Sequence, residues 1–312
     1  MTHRPKSSWT VEAITTSVVG RRQRSTQRVP GTLSPAELGK VEAGTRGHLG
    51  IGRAHATIAE MEGSFEALIQ EAEAAPIEGW DFRWLDGRAT EERPSWGYSS
   101  LLAERAKDVS SMLDLQTGGG ELLGQLPRLP PLTVATEGWK PNVGRAAQRL
   151  HPRRAWVVEA QEDRPALPLA SGTFDLVVSR HPIVTWWDEV ARVLRPGGRY
   201  VSQQVGPHSM REVTEFFVGP QPAFSPRSPE LAREKAAAAG LRVDDLRTER
   251  LRATFADVGA VVYFLRLVIW TVPDFSVEKY RDRLAAMHRE ITTNGPFCAH
   301  ATRFLIEATK PG

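Results

Sequence analysis

Residues 113–123 read LDLQTGGGELL, an apolar run that ends in an acid, Asp114, and passes through Gln116, Thr117, Gly118 and Gly120 into a helical stretch. Glycines at a strand-to-helix turn let the backbone approach a ligand, and the unpaired N–H groups of the helix start attract a carboxylate or phosphate. That chemistry suits a nucleotide-like ligand, with a tight structural turn as the plainer alternative. A second acid, Glu137 in TVATEGW (residues 133–139), closes the next apolar run. It lies about twenty positions past Asp114, where an acid at a strand tip holds a ribose diol through two hydrogen bonds. The dinucleotide fingerprint GxGxxG fails, because Glu121 and Leu123 stand three positions after Gly118 and Gly120.

His181, in SRHPI, follows the apolar run FDLVV, at the strand end where open α/β sheets place ligands. With an unperturbed pKa of about 6.5 it is a candidate general base, and a loop histidine bonded to backbone is the alternative. Trp186 and Trp187 open the next helix, and Gln203 and Gln204 end the next strand, so one member of each pair can face an acceptor. An aromatic stretch over residues 76–98 holds Trp80, Phe82, Trp84, Trp96 and Tyr98 among charged residues, and reads as core packing or as a substrate-facing lid. Arg88 and Trp96 from this stretch, with Trp186 and Gln203, form the candidate acceptor set, to which Trp139 is a looser addition. Metal catalysis has no HExxH, histidine pair or acid cluster to rest on, and no GxSxG nucleophile elbow occurs.

These residues need a scaffold, and alternation of short apolar runs with helical stretches supplies one. Strands are predicted at 110–115, 132–136, 155–158, 174–179 and 200–204, with helices at 120–125, 142–150 and 186–194 between them, which makes βαβ units and a parallel sheet. LRPGG at 194–198 ends a helix with proline and glycine. Further on come helices at 209–217 and 229–239, a strand at 241–246, two helices within 257–292 split by VPDF, and a last strand at 303–308. Before all of these, an amphipathic helix is predicted at 62–75, and a further helix at 99–107.

Three motifs in order, LDLQTGGGE at 113–121, ALPLASGTFDLVVSRH at 166–181 and EVARVLRPGGRYV at 189–201, make the chain resemble the class I S-adenosylmethionine-dependent methyltransferases, in particular the methyltransferase type 11 domains. The resemblance covers residues 98–206 firmly and the remainder to 310 loosely. It implies a Rossmann-like, doubly wound, mostly parallel seven-stranded sheet with an N-terminal helical cap and a helical insertion before the last strand. It also implies S-adenosylmethionine as cofactor, its methionine part on Asp114, Gln116, Thr117, Gly118 and Gly120, its ribose on Glu137, and its adenine beside Glu162 or Asp163. Gln116 departs from the family pattern, which has glycine there, and its side chain would crowd the cofactor or bond to it. The expected divisions are a disordered basic extension over 1–60, the cap over 61–108 and the methyltransferase domain over 109–312, with its insertion at about 257–292.

A hydrophobic share of 41% and a charged share of 25% over 312 residues suit a globular chain with a sizeable core. The net charge of +3 is too small to signal a phosphate-binding surface. A single cysteine, Cys298, excludes an internal disulfide and fits a reducing, cytoplasmic compartment. The longest apolar run, 258–270, is broken by Arg266 and too short to span a bilayer. The expected partner is a small-molecule acceptor, with RNA as the second reading and a non-catalytic cofactor-binding protein as the third. No membrane partner is expected, and the protein is expected to be a monomer or homodimer.

Overall fold

The computed structural model describes residues 58–77, 81–161, 163, 166–222 and 225–312. The expected basic extension and Glu162 fall outside these residues, the last three positions of that extension excepted.

Five parallel strands form the body of the sheet: β2 (Ser111–Leu115), β3 (Leu132–Glu137), β4 (Ala155–Glu159), β5 (Phe174–Arg180) and β6 (Leu194–Val205). Two long strands, β7 (Arg242–Phe255) and β8 (Phe297–Thr309), pair antiparallel with each other, and β8 pairs antiparallel with β6. A short strand, β1 (Ala89–Glu91), adds antiparallel to β7 and gives the order β1-β7-β8-β6-β5-β2-β3-β4. The sheet therefore has eight strands rather than seven. Strand order reverses between β2 and β5, which opens the ligand crevice at their carboxyl ends.

Period-two alternation builds two cores, one on each face of the sheet. Met112, Leu176 and Val201 face α2 (Tyr98–Arg105), α3 (Glu121–Gln125) and α4 (Lys140–Leu150). Their neighbours Leu113, Val177 and Tyr200 face α5 (Trp187–Val193) and α7 (Pro229–Ala238). Asp175 ties the opposite end of the sheet: its Oδ2 accepts the Ser110 and Ser111 N–H groups, each at 2.9 Å, and Oδ1 pairs with Arg195.

β7 and β8 run well beyond the predicted 241–246 and 303–308. Their extended halves carry a third core: Leu251, Ala253 and Phe255 alternate inward, as do Phe297, Ala299 and Ala301. This core also takes in α1 (Ile58–Ala74), α6 (Arg211–Val218), α8 (Val258–Leu267) and α9 (Arg281–Asn294). Every residue of α8 except Arg266 is buried, as an all-round apolar helix must be. Arg266 reaches the orphan carbonyls of Ala72 and Ala75 at the end of α1. Because β8 runs opposite to β6 and pairs Arg303 with Val205, residues 297–302 project past the carboxyl end of β6. The third core thus sits over the crevice side of the sheet. Among the described residues, no helix is long and apolar enough to cross a membrane.

Candidate functional site

The turn after β2 is built from left-handed residues: Gln116 at φ +57°, Gly118 at +65° and Gly120 at +75°. Gly120 opens α3, and a Cβ there would stand 3.0 Å from Leu150, so close packing of α4 requires glycine as much as the dihedral does. Arg149 bonds the Gly119 carbonyl and Glu121, and Arg153 Nη1 donates to the Leu123 carbonyl at 2.6 Å, which fastens α3 to α4.

Asp114 and Glu137 come together beneath this turn, each 2% exposed. The Glu137 Oε2 accepts the Gly118 N–H at 2.7 Å and Oε1 accepts the Trp139 N–H at 3.0 Å. Asp114 Oδ2 accepts the Thr117 hydroxyl at 2.6 Å. Burial pushes the Asp114 carboxyl up to about 7, the Thr117 hydrogen bond opposes the rise, and the charge of Glu137 adds to it.

The sequence left Gln116 either crowding a cofactor or bonding to it. Its amide is engaged by protein instead: Nε2 donates to the Val184 carbonyl and Oε1 accepts the Ile183 N–H, both at 2.7 Å. Gln116 is a strap from the glycine turn to the loop after β5. A non-glycine residue in the left-handed region costs about 1–2 kcal/mol, and the two amide bonds return about as much. Gln116→Ala loses the bonds and keeps the strain, whereas Gln116→Gly loses the bonds and sheds the strain. Melting temperatures should therefore fall in the order wild type, Gln116→Gly, Gln116→Ala, with about 1 kcal/mol between the two variants. An alanine variant as stable as the glycine one would contradict this account.

Three acceptor-side candidates far apart in sequence form one hydrogen-bonded chain. Trp96 Nε1 donates to Gln203 Oε1 at 2.7 Å, and Gln203 Nε2 lies 2.9 Å from His181 Nε2. An indole N–H only donates, so the Gln203 oxygen must accept and its amide nitrogen must donate to His181. The His181 Nε2 is then the acceptor and the ring proton sits on Nδ1, a buried atom with no hydrogen-bond partner among the described residues. Burial, reinforced by Arg303, Arg180 and Arg227, holds the imidazole pKa well below its ordinary value. With this tautomer the Nε2 lone pair that a base would use is engaged by Gln203, and Nδ1–H is left as a donor. Its φ of +51° makes it a second strained residue at the crevice.

Other candidates lie elsewhere. Arg88 pairs with Glu71 and stacks 4.2 Å over Trp84, fastening α1 within the third core. Trp186 caps α5 and packs on the core of its face, while Trp187 meets Tyr200 edge-on at 5.5 Å. Asp163 is exposed beyond β4. Two arginines that the sequence did not single out, Arg227 and Arg303, reach the crevice side; nothing in local sequence separates them from the other arginines.

Residues 113–202, from β2 into β6, match the family model for the methyltransferase domain. No curated protein matches the chain. Among solved structures, the YcgJ protein of Bacillus subtilis superposes with TM-score 0.50 at 16% identity, over 69% of this chain and 98% of that one. Geranyl diphosphate C-methyltransferase of Streptomyces coelicolor gives TM-score 0.42 at 13% identity, over 69% and 77% of the two chains. The [4+2]-cyclase SpnF gives 0.44 at 17% identity, over 81% and 96%. The match spans the crevice strands, and residues 113–202 are thus similar to a methyltransferase domain of the type 11 kind, within a sheet whose order reverses at β2 and β5.

Proposed function

We propose that the protein is an S-adenosylmethionine-dependent methyltransferase acting on a small-molecule acceptor. The observation that carries this reading is the pairing of a glycine turn after β2 with a buried acid at the tip of β3, Glu137, bonded to that turn. The donor set fits the cofactor: a carboxylate accepts the hydroxyls of a ribose diol, and a second buried carboxylate, Asp114, answers the positive charge of a methionine part. Thr117, Gly118 and Gly120 supply the backbone approach, and Asp163 stands on the side where adenine would lie. The bound cofactor supplies an electrophilic methyl group.

The residues of the chain then have two tasks, to orient an acceptor lone pair and to exclude water. The Trp96–Gln203–His181 chain fixes the imidazole, and its Nδ1–H is a donor able to hold an acceptor atom by one lone pair while another faces the methyl. With Nε2 occupied, His181 removes no proton, so the acceptor is one that attacks without a protein base. A half-open cavity of small-ligand size, lined by two of the arginines whose charges His181 feels, favours a small molecule over RNA.

Asp114 gives this reading a pH signature. A cationic ligand binds the ionised carboxylate, and the ligand-free carboxyl titrates at about 7. Binding below that pH must expel a proton, so affinity should fall about tenfold for each unit from pH 7 down to pH 5 and level off above pH 8. Calorimetric titration across this range, in two buffers of different ionisation enthalpy, measures both the slope and the released proton. A flat profile would remove Asp114 from the cofactor site.

The same shift affects the unliganded fold with a definite sign. A buried carboxyl whose pKa is raised disfavours its charged form, so it takes stability away as pH rises from about 4 through 7 and costs nothing below.

A further inference from the structure

A cavity of about 360 Å³ opens at the carboxyl end of β6, between α6, residues 221–222 and 225–227, and the end of α8. It falls within the range of about 300–1,000 Å³ usual for small-ligand sites. Met210, Phe264, Val268 and Trp270 give it an apolar wall, and Arg227 and Arg303 line it as well.

The charges do not balance. Arg303, 3% exposed at its side chain, donates to Glu91 Oε1 at 2.7 Å and to Ser209 Oγ at 3.1 Å. Glu91 thus answers one guanidinium. Arg227 has no carboxylate within ion-pair distance among the described residues, although burial and the charge of Arg303 both weaken its hold on its proton. His181 feels both arginines and adds a buried Nδ1–H without an acceptor among the described residues. Desolvated positive charge and an unmet donor each cost free energy unless an anion or acceptor arrives. A guanidinium against an apolar wall suits a planar carboxylate attached to a hydrocarbon body.

We propose that this cavity binds a small organic carboxylate, with its apolar body on Phe264 and Trp270 and its carboxylate on Arg227, and that it is the acceptor subsite of the enzyme. The word acceptor rests on the methyl-transfer reading; the binding of a carboxylate does not. Arg227 lies on a loop, so its substitution leaves the three cores intact.

The test is a cofactor-free thermal-shift titration with benzoate and, as its uncharged counterpart, benzamide, at constant ionic strength. Benzoate should raise the melting temperature saturably and benzamide should not. In Arg227→Gln the half-saturating benzoate concentration should rise at least about tenfold, and Arg227→Lys, which keeps charge without the fork, should fall between. Equal shifts from benzoate and benzamide, or an Arg227→Gln variant within twofold of wild type, would overturn the site. S-adenosylmethionine titration of the wild-type protein reports on the other reading separately: in wild type, intact cofactor binding beside absent benzoate binding overturns the subsite alone, and the reverse result overturns the cofactor reading alone.

Discussion

Glu137→Ala should weaken S-adenosylmethionine binding by at least about 100-fold. The variant removes a carboxylate that, on the proposed reading, receives two ribose hydroxyls, and hydrogen bonds to a charged group are worth about 1.5–3 kcal/mol each. Losing two of them costs about 3–6 kcal/mol, between two and four decades of affinity. The turn suffers as well, since the Gly118 and Trp139 N–H groups lose the oxygens they bond at 2.7 and 3.0 Å. Glu137→Gln keeps one acceptor oxygen and should recover part of both losses. Calorimetry on the folded variants decides, and an alanine variant within threefold of wild type would detach Glu137 from the ligand.

Phe255→Ala should produce the largest loss of stability with the least effect on cofactor binding. Phe255 is fully buried in the third core and meets Phe264 edge-on at 5.3 Å. Truncating a buried phenylalanine costs about 3–5 kcal/mol, the sum of lost transfer energy and the cavity left behind. In a chain of this size that lowers Tm by about 10 °C. The glycine turn, Asp114 and Glu137 belong to other cores, so cofactor affinity below the transition should stay within about twofold, the scatter expected for independent sites. Phe264 also lines the carboxylate cavity, so benzoate binding should weaken with it. A Tm loss under 2 °C, or a parallel collapse of cofactor binding, would show that the three cores are not arranged as described.

β2 to β5 were legible because they are short, largely apolar strands, with helices after β2, β3 and β5. β2 to β5 begin and end within a residue or two of the pattern-based bounds. The antiparallel half was legible only in part. Much of β7, RVDDLRTERLRATF, is partly or wholly exposed, and its alternation becomes apolar only from Leu251 onward. The rest is held by backbone pairing with β8, which leaves no mark on side-chain type. β1 has three residues, too few for any period.

At the site, residue types were legible and connections were not. Asp114, Gly118, Gly120 and Glu137 announce themselves by their place at strand tips. Gln116 was visible as an oddity, but its partners are the backbone groups of Ile183 and Val184, which any sequence supplies. Trp96, Gln203 and His181 were each singled out, yet 107 positions separate the first two, and only the folded sheet shows that they share one hydrogen-bond chain. That chain also sets the tautomer of His181, which depends on a tryptophan with no local relation to it. Arg227 is conspicuous only through what it lacks among the described residues, a carboxylate partner, and that is a property of the fold.

The most direct test of the central claim is calorimetric titration of the purified wild-type protein with S-adenosylmethionine and S-adenosylhomocysteine at pH 8, with NADH as control. The account predicts saturable one-to-one binding of the first two, in the micromolar range, and none of NADH. Absence of binding by either sulfur ligand under conditions where the protein is folded would contradict it.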